Sequence, residues 1–354
     1  MARTGTRLLH LHALALTATL ALATSWAGSA AAEGWDRPEG PARTRRYRLK
    51  PQPRAVVPAI GARTDIHDVA TAVLGPKAAA RFDEHFLRWD GPSLHGRGEQ
   101  PYSAKQTLFE ERPFAPRLTN ADLETLLGGV ALVMRDPKTG QVDYFLRDHH
   151  MLDLFLYHYH TTGELPERLL HLDRHSDFAW RPWAGDYQAA TWWGGLWNLL
   201  RPDGRVLLKQ GSVVYGTAVA PASDYRKRPI GSANRGAAYT LPLGALRGDA
   251  NSRARQERWA SWRSALRKIA HHLPDVVSLD MDLILPEPQL RLTKKLLRDP
   301  RFQRSLTHAK VRVFVVSPQF LEGGDNGTDI RPERMRDCVS LLNVLRAGLG
   351  AAPR

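Results

Sequence analysis

Read as hydrophobic and polar positions, the chain opens on an apolar run. Leu8 to Ala23 is rich in Leu and Ala, with Arg3 and Arg7 before it and Ala30-Ala31-Ala32 after it. A basic start, an apolar middle and a small-residue break predict a secretory signal peptide over 1–32, cleaved after Ala32. His10, His12 and several threonines interrupt the run, which is short for a membrane helix of about 20 apolar residues. The protein is therefore expected to be secreted or periplasmic, without stable membrane insertion. Residues 33–60, rich in Pro, Arg and Gly, read as an extended lead-in. Val69, Val73 and Phe82 stand at helix spacing within a helix expected over 65–90. Residues 91–118 return to Gly, Pro and charge and read as loop.

From Leu118 the pattern tightens. Thr119 and the polar residues after it offer a cap for a short helix. Strands are expected over 129–136 and 141–147, joined by the turn residues Pro137 to Gly140. Further strands are expected at Leu169–Asp173, Val206–Lys209, Val276–Asp282 and Val311–Val316. Helices are expected at 253–272, 287–300 and 331–348, the first carrying Trp259, Trp262, Leu266 and Ile269 on one face. Short apolar strands alternating with helices predict an α/β fold with a largely parallel sheet. The chain then divides into a signal peptide (1–32), a partly helical N-terminal extension (33–117) and a catalytic domain (118–350).

Composition narrows the picture. The 354 residues, 43% hydrophobic and 24% charged, rule out a wholly disordered chain. Cys338 is the lone cysteine, which excludes an intramolecular disulfide framework and a multi-thiolate zinc site. The net charge of +14, or +12 once Arg3 and Arg7 leave with the signal peptide, favours anionic partners. It equally suits an ordinary enzyme from an Arg-rich proteome, and no nucleic-acid partner is expected.

The candidate chemistry sits at strand ends. Asp148-His149-His150 follows the second strand, Asp173-Arg-His175-Ser-Asp177 runs out of the 169–173 strand, and Asp280-Met-Asp282 ends the strand from Val276. In extended chain, positions i, i+2 and i+4 share a side. Asp173, His175 and Asp177 therefore converge, and so do Asp280 and Asp282. Acids at the end of an apolar strand are costly unless a cation meets them, and open α/β sheets bind ligands at the carboxyl ends of their strands. Carboxylates with imidazoles suit Mn²⁺ or Zn²⁺. His149, Asp173, His175, Asp177, Asp280 and Asp282 are too many ligands for one catalytic zinc and suit two metals. Each cluster by itself also reads as an ion-paired loop; the three together favour metal.

In this order the clusters resemble the arginase (ureohydrolase) superfamily, whose elements are Asp-His, D-x-H-x-D and S-x-D-x-D. Here they read Asp148-His149, Asp173 to Asp177, and Ser278-Leu-Asp-Met-Asp282. The doubled His149-His150 and the H-x-D-x-H-x-D form from His171 are closer to the uncharacterised-protein family 0489, a branch that includes peptide arginases. The resemblance spans about residues 125–325. It implies the three-layer arginase/deacetylase-like fold and a binuclear manganese site. By that resemblance His149 and Asp177 hold one manganese, His175 and Asp282 the other, and Asp173 and Asp280 bridge. A hydroxide between the metals, aimed by Asp177, is then the nucleophile on a guanidinium carbon. Urea leaves, and peptidyl arginine becomes peptidyl ornithine. The implied substrate is a guanidino compound or an arginine-containing peptide.

The sequence departs from true arginases in two places. No histidine lies between His175 and His271, where arginases carry a proton shuttle, so His150 is the candidate substitute. The segment Val315–Gln319 has no acid where arginases place a guanidinium-binding Glu; Glu322 and Asp325 follow in a Gly-rich loop and are the candidates. Trp180, Trp183, Trp192, Trp193 and Trp197 either wall a substrate cleft or pack one helix. Two other readings stand beside the dimanganese hydrolase. One is a zinc-dependent deacetylase of related fold, which needs one metal. The other is a basic non-enzymatic protein binding anionic surfaces through faces such as Arg253 to Lys268.

Overall fold

The structure, a computed structural model, describes residues 46–52, 55–82, 108–147, 151–173, 196, 199–208, 213–217, 228–230, 236–242, 273–281, 299–316, 339–340, 342–344 and 346–347. The expected signal peptide, the tryptophan group and the 253–272 helix lie outside these residues, as does most of the expected 287–300 helix.

Two described strands stand apart from the main sheet: β1 (Tyr47–Arg48) pairs in parallel with β7 (Leu199–Leu200). The other ten build one mixed sheet. They are β2 (Arg63–Asp65), β3 (Leu108–Arg112), β4 (Val130–Arg135), β5 (Val142–Leu146), β6 (Leu169–Asp173), β8 (Val213–Thr217), β9 (Arg228–Ile230), β10 (Gly236–Pro242), β11 (Val276–Asp280) and β12 (Val311–Val315). Their spatial order is β2-β3-β4-β5-β12-β11-β6-β8-β10-β9. From β5 to β10 every described pairing is parallel, whereas β2/β3, β4/β5 and β9/β10 are antiparallel. The expected α/β class with a largely parallel central sheet is what the chain adopts.

Alternation assigns each strand two faces. On one face Val142, Tyr144 and Leu146 of β5, Val311, Val313 and Val315 of β12, Val276 of β11 and Leu169 of β6 share a core cluster. Three helices cover this face: α1 (Ile66–Leu74), α2 (Pro76–Phe82) and α4 (Met151–Thr162). A fourth, α3 (Asn120–Leu127), precedes β4. Helix α4 is buried along nearly its whole length because α1 packs on its outer side. That explains why its sequence lacks a polar stripe. Each Leu or Phe fully buried here contributes about 1.5–3 kcal/mol. On the opposite face, Arg346 of the helical stretch 339–347 reaches Asp143 of β5, so helical segments flank the sheet on both sides.

Several local expectations need correction. The 65–90 helix is two helices, because Gly75 (φ 85°) ends the first and Pro76 opens the second. The stretch 91–118 is not all loop. Strand β3 lies within it, and its acids are buried because they are paired: Glu110 with Arg63 and Arg112, each at 2.8 Å, and Glu111 with Arg135 at 2.8 Å. The described part of the expected Val206–Lys209 strand, 206–208, is not a strand. A tight turn with Gly204 at φ 84° folds the chain back, and Val206 makes only an isolated bridge to Leu200. A helix, α5, spans Pro300–His308 just beyond the expected 287–300. Strands β2 and β3 and helices α1 and α2 tie the expected N-terminal extension into the same sheet.

Candidate metal centre

Parallel strands put their carboxyl ends on one edge, and three of them carry the acidic motifs. Strand β5 ends at Leu146, two residues before Asp148-His149-His150. Strand β6 ends on Asp173, and β11 ends on Asp280, with Asp282 two residues on. Strand β12 lies between β5 and β11, so the chain leading to Glu322 and Asp325 departs from the same edge.

Register sharpens this placement. Leu146 is level with Val315, and Val315 with Asp280. Leu279 is level with Leu172, so the same register carried one residue further sets Asp173 beside Asp280 on the adjoining strand. Adjacent strands stand about 4.8 Å apart, a spacing at which two carboxylates at one level can share a cation. Thr217 of β8 is level with Asp173 on its other side.

Asp280 lies deep in the protein. It is 1% exposed, and Met281, Val315, Val316 and Leu146 around the strand ends are fully buried or nearly so. A carboxylate at such depth is kept charged by hydrogen bonds, by an ion pair or by a bound cation. One residue pair lower on the same face, His171 and Ser278 sit directly opposite each other across β6 and β11. Both are fully buried, and His171 Nδ1 lies 3.2 Å from Ser278 Oγ. His171 opens the H-x-D-x-H-x-D motif and Ser278 the S-x-D-x-D motif, yet the ligand pattern gives neither a part. The available signal is that each stands two positions before a strand-end aspartate, on strands otherwise apolar.

Of the predicted site residues, Asp173 and Asp280 are thus brought to one level of one edge. His149, His150, His175, Asp177, Asp282, Glu322 and Asp325 lie outside the described residues. Among the described residues, no group of three or more His, Cys, Asp or Glu gathers as a metal site. Away from the edge, a second polar group is structural. Glu111 accepts from Arg135 and from the Tyr157 hydroxyl at 3.0 Å, and the Tyr144 hydroxyl lies 3.0 Å from His158 Nδ1. Burial raises the pKa of both tyrosines, so both keep their protons.

No protein-family model matches the chain, and no curated protein matches it. Among solved structures, proclavaminate amidino hydrolase from Streptomyces clavuligerus aligns with 64% of this chain and 69% of its own. The identity is 18% and the TM-score 0.33. A superposition that loose carries no functional weight.

Proposed function

We propose that the protein is a metal-dependent hydrolase of the ureohydrolase type, exported, with a binuclear manganese centre that cleaves a guanidino C–N bond. The observation that carries this reading is the convergence of β5, β6 and β11 at one sheet edge, with Asp173 and Asp280 level on neighbouring strands. The donor set fits the group: carboxylates and imidazoles are the ligands Mn²⁺ takes. The buried Asp280 carboxylate is a position where a cation offsets desolvation.

In this reading His149, Asp173, His175, Asp177, Asp280 and Asp282 would hold the two cations. Bound there, two divalent cations supply Lewis acidity and bring the pKa of water toward neutrality. The chain's own groups do the rest. The Asp177 carboxylate accepts a hydrogen bond from the attacking water and so aims its lone pair. Glu322 and Asp325 present carboxylates to the guanidinium, where paired N–H···O bonds fix its plane. His150 delivers a proton to the departing amine nitrogen. Water adds to the guanidinium carbon, the carbon–nitrogen bond to the side chain breaks, and urea and an amine result. An arginine-containing peptide is the substrate class proposed.

Elemental analysis of the protein after separate incubation with Mn²⁺ and Zn²⁺ tests this. About two Mn per chain are expected, lost in Asp173→Ala and in Asp280→Asn, with urea released from arginine-containing peptides by the wild type alone. About one Zn per chain and no urea would overturn the reading in favour of a deacetylase. No bound metal would leave the acidic clusters as ion pairs.

A further inference from the structure

The face of the sheet that carries the candidate centre is apolar along β12, as Val311, Val313 and Val315. On β6 and β11 the same face starts apolar, at Leu169 and Val276, then turns polar at His171 and Ser278, and ends at Asp173 and Asp280. The change falls on the two strands that carry D-x-H-x-D and S-x-D-x-D. It falls at matched positions, since His171 and Ser278 are register partners. Placing an imidazole and a hydroxyl at 0% exposure costs about 1–3 kcal/mol for each group left unsatisfied. The 3.2 Å contact between them offsets that cost only if the two strands keep their relative offset. A Val–Val pair at these positions would hold the core equally well. Polar groups that break the local apolar rule concentrate at functional sites.

We propose that His171 is a positioning residue. Its hydrogen bond to Ser278, one pleat below Asp173 and Asp280, locks the offset of β6 against β11 and so fixes the separation of the two carboxylates. Two-metal sites need such a lock, because the ions sit only about 3.5–4 Å apart and a shifted bridge loses one of them. Groups that orient ligands without touching the metal commonly change affinity by about 10–100-fold. This inference rests on the proposed binuclear centre and adds a residue to it.

The test is Mn²⁺ affinity of the full chain, by equilibrium dialysis, beside its electron paramagnetic resonance spectrum and the thermal midpoint of the metal-free protein. His171→Leu and Ser278→Ala are each expected to weaken Mn²⁺ binding by about 10–100-fold and to alter the spin-coupled spectrum. His171→Asn keeps a polar atom near the Nδ1 position and is expected to restore most of the affinity. The double variant His171→Leu/Ser278→Ala is expected to bind Mn²⁺ less weakly than the two single losses multiplied together, because both changes remove the shared His171–Ser278 contact. Ser278→Ala removes a single oxygen and serves should Leu at 171 fail to fold. A structural role alone predicts a lower metal-free midpoint with wild-type affinity in the folded variants, and that result overturns the inference while leaving the metal centre intact. A wild-type chain that binds no Mn²⁺ overturns both.

Discussion

His158 shows how one buried side chain sets a pH response. It lies on α4 at 3% exposure, with Nδ1 3.0 Å from the Tyr144 hydroxyl. Burial first, then the positive charges of Arg135 and Lys310, push its pKa down to about 3. In the unfolded chain it returns to about 6.5, so the unfolded state takes up the proton first as pH falls. The stability linked to His158 is therefore complete above about pH 6.5 and declines as pH falls toward 3, by at most roughly 1.4 kcal/mol per pH unit. Replacing it by Gln removes that titration. The urea midpoint of His158→Gln should fall less between pH 7 and pH 5 than that of the wild type. Equal falls in both would mean that His158 takes up its proton at the same pH in the folded and unfolded chain.

At the scale of elements, α3 depends on its first turn. Thr119 Oγ1 accepts from the Asp122 backbone N–H at 3.2 Å, and the Asp122 carboxylate accepts from the Thr119 N–H at 2.8 Å. This reciprocal capping box satisfies two otherwise orphaned donors at the mouth of an eight-residue helix. Thr119→Ala should lower stability by about 1 kcal/mol, read as a reduced urea midpoint at unchanged slope; an unchanged midpoint would mean water replaces the cap. The cap is legible in the sequence because its residues are contiguous. So are β11 and β12, since buried parallel strands read as near-continuous apolar runs. Strand β3 is hidden because Glu110 and Glu111 look like surface residues until their ion-pair partners Arg63, Arg112 and Arg135 are found. Helix α4 is hidden because it is buried on both sides and shows no 3.6-residue stripe. The acidic motifs are legible as local spacings. Their meeting is not, because His171 and Ser278, 107 residues apart, become neighbours only through sheet order.

For the molecule as a whole, Asp143 is the tie between distant parts of the chain. It is 1% exposed and accepts from Arg312 Nε at 2.6 Å and Nη2 at 2.9 Å, and from Arg346 Nε at 2.7 Å. Arg346 also donates to the Ala115 carbonyl and stacks over Phe114 and Phe145, at 5.0 and 5.4 Å from the ring centroids. One carboxylate thus joins β5, β12, the loop before α3 and the C-terminal helical stretch. Strands β5 and β12 are also the ones after which His149, and Glu322 with Asp325, follow in the sequence. Removing one partner of a buried ion pair strands the others without compensation and costs about 3–5 kcal/mol, a large share of a typical stability of about 5–15 kcal/mol. Asp143→Ala should therefore destabilise the protein far more than Arg346→Met, whose aliphatic stem still covers Phe145 while Arg312 keeps its carboxylate. The two changes combined should cost less than their sum, because Arg346→Met removes one of the charges that Asp143→Ala leaves bare. Thermal midpoints of the two single variants and the double variant decide it. Strict additivity would show that Arg346 holds the C-terminal stretch through its aromatic contacts and not through Asp143.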